Sequence, residues 1–154
     1  MKKEYYWLIL IFAVTLAVRL FLAFTIPNFT YESYFHLRQV EHISQTGLPL
    51  FHDELSYGGR QIIFLPFFHY FLAFFNLFLP LELAAKIIPN LLFASLTILV
   101  YLLGKRITTN KTAPLLSAFV IGFLPAAFTT NALSIEALFL PLACLNILAF
   151  LELE

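Results

Sequence analysis

Of the 154 residues, 61% are hydrophobic and only 12% are charged, and the mean hydropathy is +0.88; a soluble domain is excluded, because a chain this short has too much surface for its volume to hide that much apolar area in one core. The formal net charge of zero leaves no basic footprint, so no nucleic-acid partner is expected. Cys144 is the only cysteine; it cannot form an internal disulfide and reads as an inert thiol within an apolar run.

A short basic start, Met1-Lys-Lys-Glu, precedes an apolar stretch over 5–26 that opens on Tyr5, Tyr6 and Trp7. At 1.5 Å per residue it is long enough to cross a hydrocarbon core of about 30 Å, and its first aromatics suit the headgroup boundary. It is too long for the apolar part of a signal peptide, and no small-x-small cleavage site precedes Pro27. It therefore reads as a retained span. Residues 27–60 form the one extended polar region. Thr30 is a candidate N-cap for a helix from Tyr31 to Thr46, which Gly47 and Pro49 stop. Gly58-Gly59 then give "HDELSYGGR" at 52–60 a turn-like character.

Four further apolar runs follow, over 61–80, 84–104, 113–131 and 137–151. If all of them crossed, the most basic connection, "KRITTNK" at 105–111, would lie outside, against the positive-inside rule. The conflict disappears if 61–80, broken by Pro66 and carrying His69 and Asn76, lies along the membrane as a juxtamembrane helix. The expected fold class is all-α and polytopic, with four spans (5–26, 84–104, 113–131 and 137–151), a cytoplasmic N-terminus and one long external loop over 27–83. The 19 phenylalanines suit lipid contact or a greasy groove.

This topology brings the 27–60 region and the connection "TTNALSIE" at 129–136 to the same external face, each with an acid at the membrane boundary, Glu32 and Glu136. Ionisable groups at that depth are costly and mark functional sites. Two carboxylates meeting there could hold a divalent cation or orient a nucleophile; as headgroup-level acids they would simply stay wet. Glu32, His36 and Gln39 fall on one helical stripe, and Arg38 and His42 on another. No HExxH motif or Cys/His cluster points to zinc. Two sequons, at Asn28 and Asn110, are explained by chance.

The stretch "YESYFHLRQVEHISQTGLPLFHDELSYGGR" resembles the first external loop of the catalytic subunit of oligosaccharyltransferase, especially in archaeal members. That family shows an Asp-Pro-Tyr-Tyr-His-Leu-Arg run after its first span; here "ESYFHLR" has Glu32 for Asp and Ser33 for Pro. "FLPAAFTTNALSIEALFLPL" is similar to the family's second acidic motif, with Glu136 matching an acid. The layout also resembles the wider C-type glycosyltransferase superfamily, including protein mannosyltransferases and aminoarabinose transferases.

The resemblance implies transfer of a sugar or oligosaccharide from a polyprenyl-phosphate-linked donor to an acceptor polypeptide or lipid, on the external face of a prokaryotic plasma membrane. It assigns Glu32 and Glu136 to catalysis and to a divalent-metal site (Mg²⁺ or Mn²⁺), with Glu in place of Asp lengthening the arm. Arg19, Arg60 and Lys86 become candidates for the donor phosphate or for lipid headgroups, and His36 and Arg38 belong to the recognisable motif. The family's downstream Trp-Trp-Asp-Tyr-Gly motif and soluble domain do not occur in the sequence, which implies the N-terminal fragment of a longer enzyme, inactive alone. A monoglycosyl transferase is the alternative within the enzyme class, and a non-enzymatic membrane subunit or transporter piece the alternative outside it.

Overall fold

A computed structural model describes residues 3–55, 58–124 and 129–153. Among them the architecture is all-α, with six helices: α1 (Lys3–Thr25), α2 (Tyr31–Thr46), α3 (Phe67–Asn76), α4 (Leu81–Ile107), α5 (Ala113–Gly122) and α6 (Glu136–Leu153). Two-residue strands β1 (His52–Asp53) and β2 (Arg60–Gln61) pair antiparallel, His52 opposite Gln61 and Asp53 opposite Arg60. Gly58 and Gly59, both at φ 75°, supply the left-handed backbone that brings the chain round between them.

Helix α4 is the axis of the fold, packing on α1, α3, α5 and α6, while α2 lies mainly on α3. The main apolar core joins Val40 and Ile43 of α2, Phe68 and Leu72 of α3, Ile88 and Phe93 of α4, and Leu138 of α6. Helix α5 closes tightly on α1 and α4 at Gly122, where a Cβ would come within 2.6 Å of Thr15 Oγ1. Much of α1 faces outward with large apolar side chains, Phe21 being 70% exposed. Such a face suits lipid rather than water.

Two helices, α1 and α4, are long and apolar enough to cross a bilayer, where the sequence reading expects four spans. The region 113–131 illustrates the difference. Helix α5 has ten residues, or about 15 Å, and stops at Gly122 because glycine is a poor helix former and the residue before Pro125 is pushed away from helical backbone. The expected span continues over 125–128, which lie outside the described residues. The helix expected over 61–80 is confined to Phe67–Asn76, also ten residues, because Gln61 belongs to β2 and Pro66 stands at the N-cap.

Helix α2 occupies Tyr31–Thr46, with Gly47 at φ 78° donating its N–H to the Ile43 carbonyl as the C-cap. Thr30 stands at the N-cap position without a side-chain bond to the backbone. Its hydroxyl pairs instead with the Ser33 hydroxyl, 2.7 Å away.

Candidate functional site

The start of α2 is sewn to the 129–135 connection. Thr30 N–H donates to the Asn131 carbonyl at 3.1 Å. The Ser33 hydroxyl donates to the same carbonyl at 3.2 Å and accepts from Leu133 N–H at 2.8 Å. The Asn131 side-chain amide reaches back to the Ile26 carbonyl at 2.9 Å. These bonds hold the first turn of α2, with Glu32, beside the start of α6, with Glu136. Ser33 is fully buried. Ser33→Ala is expected to orphan Leu133 N–H and cost about 1–3 kcal/mol, read as a lower thermal midpoint of the purified protein in detergent; an unchanged midpoint would deny Ser33 its fastening role.

An open cleft of about 1180 Å³ lies against α2 and the β-hairpin, lined by Tyr31, Glu32, His36, Arg38, Asp53 and Arg60, among others. Arg38 forms an ion pair with the carboxylate of Asp53, which also accepts from Leu55 N–H at 3.0 Å. The pair anchors the hairpin to α2, since Asp53 sits on β1. Arg60 is exposed, opposite Asp53 in the ladder, and lines the cleft.

Glu32 and Glu136 are both exposed. His36, one turn beyond Glu32, feels both: burial lowers its pKa, while the charges of Glu136 and Glu32 raise it in partial compensation. Two acids far apart in sequence thus converge electrostatically on one imidazole. Behind His36 lies His69 of α3, 99% buried, with its Nε2 2.8 Å from His36 Nδ1. Burial, with a lesser contribution from the neighbouring His36 ring, pushes the pKa of His69 down to about 4.

Four of the expected residues therefore line one cleft (Glu32, His36, Arg38 and Arg60), and Glu136 acts on the same imidazole. Two others are committed elsewhere. Arg19 is buried in the helix bundle, its Nε donating to Asn90 Oδ1 at 3.1 Å and its guanidinium 4.8 Å from the Phe93 ring centre. Lys86 is also buried. Its ammonium donates to the carbonyls of Ile26 and Pro27, each at 3.3 Å, just beyond the last turn of α1, where a cation is favoured. Asp53, His69 and Asn131 are the contributors that motif reading missed.

Among the described residues, no group of three or more His, Cys, Asp or Glu side chains lies close enough to hold a metal ion. An all-protein cage is therefore not what these residues form. Glu32 and Glu136 nevertheless offer hard oxygen donors, and Mg²⁺ is typically held by one or two carboxylates, with waters and substrate phosphates completing its shell. The donor chemistry fits that mode.

The chain is similar to two protein glycotransferases of Archaeoglobus fulgidus. It is 34% identical over 134 residues to dolichyl-phosphooligosaccharide-protein glycotransferase 2, a match covering 80% of this chain and 23% of the relative. To dolichyl-phosphooligosaccharide-protein glycotransferase 1 it is 32% identical over 102 residues, covering 63% of this chain and 17% of the relative. The chain thus spans less than a quarter of either relative. No protein-family model and no solved structure matches it.

Proposed function

We propose that this chain forms the acid-bearing external face of a membrane glycosyltransferase that moves a sugar or oligosaccharide from a polyprenyl-phosphate-linked donor to a protein acceptor. The observation that carries the reading is the cleft lined by Glu32, His36 and Arg60, with the start of α2 fastened to the segment that leads into Glu136, in a chain similar to archaeal protein glycotransferases over 80% of its length. In this reading α1 and α4 cross the plasma membrane with the N-terminus cytoplasmic, and the chain is the N-terminal part of an enzyme of the C-type superfamily.

The residues divide the work by charge. Glu32 and Glu136 hold a divalent cation, Mg²⁺ or Mn²⁺, which when bound supplies positive charge to the departing lipid phosphate. Either carboxylate can also accept a hydrogen bond from the acceptor nitrogen and orient it. Arg60 supplies a further cation to the donor phosphate, and the Arg38–Asp53 pair keeps the hairpin in place beneath it. The aromatic rings of Tyr31 and Phe35 at the cleft give sugar or peptide an apolar surface to rest on.

Transfer from a polyprenyl-phosphate-linked oligosaccharide to a peptide carrying an Asn-x-Thr sequon, assayed in native membranes, tests the reading. Membranes from cells lacking this gene should lose the transfer that re-expression restores. Equal transfer with and without the gene would overturn the proposal.

A further inference from the structure

The imidazole pair at the back of the cleft carries information about proton placement that neither acid holds alone. His36 Nδ1 and His69 Nε2 lie 2.8 Å apart, their rings stacked at 5.1 Å with a 28° angle between planes. One proton sits between these nitrogens, so one ring donates and the other accepts. His69 is enclosed by aromatic edges, with Phe64, Phe68 and Phe35 centred 5.0, 5.7 and 6.3 Å from it. Its other nitrogen, Nδ1, is buried without a hydrogen-bond partner.

The surroundings of the buried ring select the donor. If His36 donated, His69 would carry its own hydrogen on Nδ1, leaving an orphaned N–H in an apolar pocket. If His69 donates from Nε2, its buried Nδ1 is a bare ring nitrogen with no hydrogen to place, and His36, accepting at Nδ1, carries its own hydrogen on Nε2. The low affinity of His69 for a second proton is consistent with a ring that stays neutral in this cage.

We propose that His69 is a positioning residue which, by donating Nε2–H to His36 Nδ1, fixes His36 as its Nε2–H tautomer, a neutral donor to an oxygen atom of a ligand in the cleft that Glu32 and His36 line. The use of that donor rests on the function proposed above; the tautomer does not. His36 is then not a general base. Its free nitrogen is already protonated, and taking another proton at Nδ1 would set two N–H groups against each other. The ligand chemistry this selects is an oxygen acceptor, whether of a phosphate or of a sugar hydroxyl.

Nitrogen-15 NMR of imidazole-labelled protein in phospholipid nanodiscs reads the tautomer directly. The expected spectrum has His36 Nδ1 in the pyridine-like range and Nε2 in the pyrrole-like range. His69→Gln, whose amide can still donate, should keep that pattern; His69→Phe should convert His36 to a mixture. A pyrrole-like His36 Nδ1 in the unaltered protein overturns the proposal without reference to any variant, as does an unchanged His36 spectrum in His69→Phe. In native membranes His69→Phe should lower turnover about 10–100-fold with a smaller change in KM, and His69→Gln should recover most of it. Membranes devoid of transfer altogether would sink the enzymatic reading and leave the tautomer to be decided by the spectrum.

Discussion

Replacing Glu32 with Gln is expected to lower sugar transfer in native membranes by about 10²–10³-fold, and Glu136→Gln by a comparable factor, the range over which loss of one preorganised electrostatic contact acts. Gln preserves the shape of the side chain and one oxygen acceptor but removes the charge, so the substitution separates electrostatics from packing. Both acids are exposed, and exposed substitutions of this kind change stability by no more than about 0.5 kcal/mol. A fall in activity would therefore not reflect unfolding. Because both carboxylates act on the same imidazole and are proposed to share one cation, the double variant should be little worse than the worse single one, as expected for residues that work as a unit. Stripping divalent ions should abolish transfer in the unaltered protein, with Mg²⁺ or Mn²⁺ restoring it. Fully multiplicative losses would separate the two acids into independent roles and remove the shared site. Less than threefold loss in either single variant would take that acid out of the chemistry.

The sequence makes legible those features that depend on position along the chain. Helices α1 and α4 follow from long apolar runs, and α2 follows from Gly47 and Pro49 closing a polar amphipathic stretch. Hydropathy cannot register an interruption inside an apolar run, and that is why 113–131 reads as one span although α5 ends at Gly122. The β-hairpin has two residues in each strand, too few for any alternating pattern to show. Depth in the membrane can be counted from the sequence, but direction around a helix axis is set by neighbours. Arg19 and Lys86 accordingly look like cations reaching outward, while the fold turns Arg19 to Asn90 and Lys86 to the end of α1. His69 registers in the sequence as a polar break in an apolar run; its partner lies on another helix, and no local pattern names it.

Asn90→Ala is expected to be among the most destabilising single changes in this chain. The Asn90 side chain is buried in the first half of α4 and joins three segments: its amide nitrogen donates to the Lys86 carbonyl at 2.7 Å and the Thr130 carbonyl at 2.8 Å, while its oxygen accepts from Arg19 Nε. Within a membrane-embedded bundle each neutral polar contact contributes about 0.6 kcal/mol, and a hydrogen bond to a charged group contributes about 1.5–3 kcal/mol. The expected loss is about 2–4 kcal/mol, measured by reversible denaturation of the purified protein in mixed detergent micelles. The contact to Thr130 gives the substitution a reach beyond stability. Thr130 precedes Asn131, whose carbonyl receives Thr30 N–H and the Ser33 hydroxyl, so Asn90 tethers from below the connection that sets Glu136 beside Glu32. If the tether matters, Asn90→Ala should lower transfer under conditions where the protein remains folded, with no group that touches the ligand altered. A loss of stability with full transfer in the folded fraction would confine Asn90 to holding α1 against α4. It would also mean that the bonds of Ser33 and Asn131 suffice to place the two acids.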